Sequence, residues 1–196
     1  MSERIAQLTR KTSETDITLA LAIDGNGTSD IATGVGFFDH MLTHIAKHGL
    51  LNLTVKATGD LHIDDHHTVE DVGIVLGQAL ASALGDRAGI RRVGNCAVPM
   101  DEALVFCAID ISGRGFLTCD LTYPTPKLGG MTAELTPEFF RAVAANAGWT
   151  VHLRQMAGSN THHIIEAAFK AFARAAAEAV SRDPRVTGIP STKGVL

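Results

Sequence analysis

The sequence predicts an α+β fold built from an internally duplicated unit. Two similar halves, roughly 1–92 and 93–182, each carry a mostly antiparallel sheet with two helices packed on one face, and an irregular tail follows over 183–196. Three observations predict it. The order of elements repeats: hairpin, short helix ending in Gly, strand, turn, long helix. Landmarks recur in register, with Phe-Phe at 37–38 and 139–140, and Gly49 and Gly59 matched without a gap by Gly148 and Gly158. Finally, "HHTVE" at His66 to Glu70 returns as "HHIIE" at His162 to Glu166. Neither half alone buries much, so the two pack around one core as a single domain.

The elements follow from local pattern. "RIAQLTRKTSETDITLALAID" reads as extended, with Ile17, Leu19, Leu21 and Ile23 alternating. "DGNGTSD" supplies turn residues for a hairpin. "GFFDHMLTHIAKHG" is helical, with Phe38, Leu42 and Ile45 at three- and four-residue spacing and a stop at Gly49. "LLNLTVKATG" alternates as a strand. "DLHIDDHHTVEDVGIVLGQALASALGDR" starts extended and turns helical near Asp65, burying Val69, Val72, Val75, Leu76, Ala79 and Leu80. In the second half, "ALVFCAIDISGRGFLTCDL" gives two strands around a Gly-Arg-Gly turn. "TPEFFRAVAANAG" is a helix opened by Thr136 and Pro137 and closed near Gly148. "WTVHLRQMAG" is a strand, and "SNTHHIIEAAFKAFARAAAEAV" a long alanine-rich helix.

Composition excludes several classes. Net charge is −4, and no basic block or RNA-type aromatic motif occurs, which argues against nucleic acid. No apolar run approaches a membrane span, and "MSERIAQLTRKTSETDI" has no signal-peptide core. Cys96, Cys107 and Cys119 are few, odd in number and outside any CxxC pair, so reduced thiols in the cytoplasm are expected.

Histidine is the outlier. Six of the nine lie between His40 and His67, and the other three between His152 and His163. Residues four apart on a helix share a face, while neighbours diverge by about 100°. His66 therefore aims with Glu70, and His162 with Glu166, while His67 and His163 point elsewhere. That spacing suits two ions better than one. The geometric split groups His66, Glu70 and His163 on one metal, and His162, Glu166 and His67 on the other. Imidazole with carboxylate and no thiolate suits Mn²⁺, Fe²⁺ or Zn²⁺. Solvated histidines at helix starts are the plainer alternative for a single such motif; two at equivalent places argue against it. His40, His44 and His48 form one helical stripe, with His40 the best further ligand candidate; a solvated face is the alternative for the other two. His62 and His152 sit in extended segments. Arg92, Arg114 and the tail residues Ser191, Thr192 and Lys193 form a second theme, either a phosphate grip or ordinary solvated charge.

"GFFDHMLTHIAKHG", "GDLHIDDHHTVEDVGIVLG", "MDEAL", "DISGRG", "HLRQMAGSNTHHIIEAAFKAFARA" and "IPSTKGVL" closely resemble, in order and over nearly the whole chain, the imidazoleglycerol-phosphate dehydratase family. The resemblance implies a hydro-lyase of histidine biosynthesis, which removes water from D-erythro-imidazole glycerol phosphate to give imidazole acetol phosphate. It implies two Mn²⁺ ions per site, a 24-subunit particle and active sites between subunits. Carried over by position, metal ligands fall on His66, His67, Glu70, His162, His163 and Glu166, with His40 at a further metal or substrate position. Glu138 stands where the family often has a ligating His. Phosphate binders fall on Arg92, Arg114, Ser191 and Lys193. Glu14 matches an acid near the substrate, and Lys170 lies on the substrate side of the last helix. Glu14 and Glu166 are the candidate bases. A binuclear phosphoesterase and a non-catalytic metal-binding assembly are the rival readings of the same residues.

Overall fold

The computed structural model describes residues 3–196. In chain order the elements are β1 (Ile5–Lys11), β2 (Thr15–Ala22), β3 (Ser29–Ala32), α1 (Gly36–Gly49), β4 (Asn52–Gly59), α2 (His66–Leu84), β5 (Val93–Met100), β6 (Ala103–Asp110), β7 (Phe116–Asp120), β8 (Lys127–Leu128), β9 (Met131–Thr132), α3 (Leu135–Ala147), β10 (Thr150–Ala157) and α4 (Thr161–Val180). One four-stranded sheet has the order β1-β2-β4-β3, the other β5-β6-β10-β7. Each is antiparallel except for its last pair, β3 with β4 and β7 with β10. The α+β fold and its two similar halves are therefore as expected.

Some local expectations change. The hairpin turn lies at Thr12–Glu14, between β1 and β2, not at "DGNGTSD". The "DGNGTSD" segment instead carries the chain to β3, which pairs parallel with β4. In the same way, "SGRG" leads into β7, which pairs with β10 and not with β6. β5, antiparallel to β6, was not anticipated. Leu61–Ile63 forms a turn, so His62 is not in an extended segment. α3 begins one residue before Thr136, with Glu134 at its cap position.

The core lies between the sheets. α2 packs on β1, β2 and β4, and α4 on β5 and β6; the two helix layers then face each other, α1 against α4 and α2 against α3. Phe38, Phe139, Phe140, Phe169 and Phe172 fill this layer, with ring centroids 4.7–5.3 Å apart along the chain of contacts. α2 approaches α3 most closely at two glycines. A Cβ on Gly73 would lie 2.8 Å from the Phe139 carbonyl oxygen, and one on Gly77 2.6 Å from that of Val143. The start of α2 is held by buried acids: Asp65 accepts from the Thr132 amide (2.6 Å) and hydroxyl (2.8 Å), and Asp71 from the Thr15 hydroxyl (2.5 Å) and Arg10. Among the described residues no helix is long and apolar enough to cross a membrane.

Arg4 links the two halves. It is 8% exposed, pairs with Asp24 at the end of β2, and donates to the Val180 carbonyl at the end of α4 (2.5 Å). The Arg4 hydrogen bond holds the Asp24 carboxyl below its ordinary range. Arg4→Met is expected to cost about 1.5–3 kcal/mol at neutral pH, the worth of hydrogen bonds to a charged group. A depressed carboxylate contributes stability above its unfolded pKa and loses it as pH falls through the folded value. Thermal melts between about pH 6 and pH 2 should therefore show the difference between native and variant shrinking only at the acid end.

Candidate active site

Both His-His pairs stand in the first turn of a long helix. α4 is opened by Asn160, whose side-chain oxygen accepts from the amides of His162 (2.9 Å) and His163 (3.3 Å). α2 opens with the Asp64 carboxylate accepting from the His66 amide at 2.8 Å. The rings within each pair diverge, with centroids 6.1 Å apart and planes inclined at 74° and 80°.

Glu166 is the hub of the first cluster. It is 5% exposed. One carboxylate oxygen lies 3.1 Å from His162 Nε2 and 3.3 Å from His40 Nε2, the other 2.5 Å from Lys170 Nζ and 3.4 Å from His44 Nε2. α1 and α4, neighbours from different halves that run side by side in the same direction (Phe37 beside His162, Gly49 beside Ala173), bring these groups together. Phe37 packs edge-on against His162 at 5.0 Å. Burial alone would raise the Glu166 carboxyl; the Lys170 hydrogen bond and the charges of His44 and Lys170 outweigh it and bring it down to about 2. Burial pushes His44 down to about 4, against the pull of Glu166. His40, His162 and Glu166 offer ligand atoms within 4.8 Å of one another. Two imidazoles and an ionised carboxylate are a donor set that fits a borderline or hard divalent cation.

The second cluster is looser. His66 Nε2 lies 3.6 Å from Glu70. Glu138 is paired with Arg141 one turn along α3, and Arg141 also feels the charge of Glu70. Glu138 thus sits on the Glu70 side of the α2–α3 pair, engaged by an arginine. His67 Nε2 lies 3.9 Å from Glu14 Oε1, and its Nδ1 3.0 Å from Asp60. His163 Nδ1 lies 2.7 Å from Glu102. The hydrogen bonds to Asp60 and Glu102 raise the pKa of His67 and His163, and His163 in turn brings Glu102 down to about 2. Asp60 and Glu102 were missed in the sequence, although "GDLH" and "MDEAL" place an acid beside each strand end. Among the described residues, no hydrogen bond or ion pair joins the His66–Glu70 group to the His162–Glu166 group.

The basic residues lie elsewhere. Arg92, with φ of 70°, donates to both oxygens of Asp110 (2.7 and 3.1 Å) and to the Pro190 carbonyl (2.9 Å), and its own amide bonds the Ala179 carbonyl at the end of α4. Arg114 donates to the Ser112 carbonyl, and the tail turns at Ser191, whose hydroxyl accepts from the Lys193 amide at 3.2 Å. Thr192 and Lys193 are exposed. Burial, and then the neighbouring charges of Lys170 and Arg174, lower the pKa of His48. His152 lies exposed on β10 near the Phe116 ring.

Comparison with known proteins identifies relatives of the sequence and of the fold. The profile of the family described as imidazoleglycerol-phosphate dehydratase matches residues 33–176. The imidazoleglycerol-phosphate dehydratase of Desulforamulus reducens is 62% identical over all of this chain and all of its own length. That of Jannaschia sp. is 60% identical over 98% of this chain and 100% of its own. The crystal structure of the Staphylococcus aureus imidazoleglycerol-phosphate dehydratase matches with TM-score 0.83 at 42% identity, covering 91% of this chain and 99% of that one. The Pyrococcus furiosus structure matches with TM-score 0.84 at 37% identity, covering 96% and 100%. The sequence and its α+β fold are thus those of a hydro-lyase. Within that class, the chain belongs to the imidazoleglycerol-phosphate dehydratase family.

The Glu166–Lys170 pair gives a test of the hub. Glu166→Gln strands a mostly buried ammonium and should cost the metal-free protein about 3 kcal/mol. Glu166→Gln combined with Lys170→Met removes both charges and should recover most of that loss in a thermal melt.

Proposed function

We propose that the protein dehydrates D-erythro-imidazole glycerol phosphate to imidazole acetol phosphate in histidine biosynthesis, with two Mn²⁺ ions held by the paired histidines and glutamates. The observation that carries this is the cluster of His40, His162 and Glu166, whose donor atoms lie within 4.8 Å of one another at the start of a His-His helix. His66, His67, Glu70, His162, His163 and Glu166 would supply the ligands, with His40 beside Glu166 and Glu138 on the Glu70 side. A metal held by these residues would supply stabilisation of negative charge on the substrate's imidazole, the charge needed for hydroxide to leave the adjacent carbon.

The chain's own groups supply the rest. Glu166, held near pKa 2, is a poor proton acceptor at neutral pH. Glu14 is exposed and lies 3.9 Å from His67 Nε2, so it is the better candidate to take the proton from the neighbouring carbon. Arg92, Arg114, Ser191, Thr192 and Lys193 would hold the phosphate and so fix the ring. Arg92 keeps two of its five N–H groups for that task, since three are spent on Asp110 and Pro190.

One chain does not bring these two sets together. Arg92 is bonded at Ala179, and from His163 to Ala179 α4 climbs about 24 Å at ~1.5 Å per residue. A ring, three carbons and a phosphate span less than about 12 Å at ~1.5 Å per bond. Each site therefore draws its phosphate grip from another copy of the chain, which supports a homo-oligomer, 24 subunits by family resemblance, with sites between subunits.

Two outcomes test the reading. Metal-stripped protein should show no turnover of imidazole glycerol phosphate and regain it with Mn²⁺, while Glu14→Gln takes up Mn²⁺ normally but turns over at least ~100-fold more slowly. Turnover that is indifferent to metal would overturn the metal reading; phosphate release in its place would favour a phosphoesterase. Separately, Arg92→Ala and Glu166→Ala proteins, each inactive, should regain activity when dissociated together and reassembled. Continued inactivity of the mixed particles would place both ends of a site in one chain.

A further inference from the structure

The two histidines of each pair are held differently. His66 and His162 turn Nε2 towards the glutamate four residues on, at 3.6 and 3.1 Å. His67 and His163 instead turn Nδ1 towards a carboxylate from another element. His67 Nδ1 lies 3.0 and 3.2 Å from the two oxygens of Asp60, and His163 Nδ1 lies 2.7 Å from Glu102. An ionised carboxylate only accepts, so the facing Nδ1 carries the proton and Nε2 keeps its lone pair. We propose that Asp60 and Glu102 are positioning residues, which fix the tautomer and plane of His67 and His163 so that each presents Nε2 to a divalent cation. The inference rests on the metal reading of the site.

The two acids do one task from places that are not equivalent in the duplication. Asp60 follows Gly59 at the end of β4, and the matching residue after Gly158 is Ser159. Glu102 sits just before β6, in the hairpin turn, where the first half has Glu14 just before β2. In the first half Asp60 takes the Nδ1 side of His67, so the hairpin acid Glu14 stays free near Nε2 at 3.9 Å. In the second half a serine stands in the place of Asp60, and the hairpin acid takes over the orienting task. The Ser159 and Asn160 amides donate to its other oxygen at 3.1 and 2.8 Å, which locks it in place. One substitution between the halves thus separates a free acid from a tethered one.

Glu102→Gln and Asp60→Asn test this by Mn²⁺ titration of the stripped full-length protein, with free Mn²⁺ read by electron paramagnetic resonance. Loss of an orienting partner should weaken binding about 10–100-fold. Glu102→Gln should lie at the upper end, because both Glu102 oxygens face donors and an amide must turn its NH₂ towards one of them. Asp60→Asn should lie at the lower end, because a single amide oxygen can still meet Nδ1. In each variant excess Mn²⁺ should restore kcat, a recovery that general damage to the fold would not give. Native affinity in either folded variant overturns the assignment for that carboxylate, and if Glu102→Gln does not fold, Asp60→Asn decides. If the unaltered protein takes up no Mn²⁺, the reading of the site falls and this inference with it; native uptake with unchanged variants sinks the inference alone.

Discussion

The missing side chains of Gly73 and Gly77 set the spacing on which the rest of the molecule depends. Four helices share the gap between two sheets, and α2 fits only because its backbone rests against that of α3. A methyl group at either glycine would press on a carbonyl oxygen at 2.6–2.8 Å, closer than Cβ atoms tolerate. β5 meets α4 under the same rule, since a Cβ on Gly94 would lie 2.1 Å from the Ala175 carbonyl oxygen. With these approaches fixed, the phenylalanines fill the remaining volume. The start of each His-His helix then falls where a neighbouring element can reach it: α1 for His162, and the β1–β2 turn for His67.

The sequence revealed the repeat, the helices and the paired motifs because each is a local pattern. Phe38, Leu42 and Ile45 mark one face of α1, and all three are buried. What it concealed is non-local. β3 and β7 join their sheets through parallel pairing, which leaves no mark in the strands themselves. β5 carries Gly94, Asn95 and Pro99, poor strand formers that an edge position against α4 accommodates. Thr136 looked like a helix cap, yet its hydroxyl is buried and faces Tyr123, and the helix starts a residue earlier. Within the site, the one-turn spacing of His162, Glu166 and Lys170 was visible. The reach of Asp60 to His67 and of Glu102 to His163 was not, because it depends on where turns end in space.

The clusters also place like residues in unlike surroundings. Glu166 and Glu14 are both glutamates near a histidine. Glu166 is enclosed by an ammonium and three imidazoles and stays ionised far below neutrality. Glu14 stands in solvent at a hairpin turn with its amide tied to Thr12. On the proposed reading, environment and not residue type would divide the duties of ligand and proton acceptor between them.

The distance between the histidine end and the arginine end of α4 has a kinetic consequence. The core described above is built from the residues of one chain, and dissociation that left it in place would leave an intact subunit. On the proposed reading, that intact subunit has no complete place for the reaction. Dilution would then silence the enzyme by mass action while leaving its secondary structure untouched. Specific activity, unlike the melting of an individual chain, would follow the law of association.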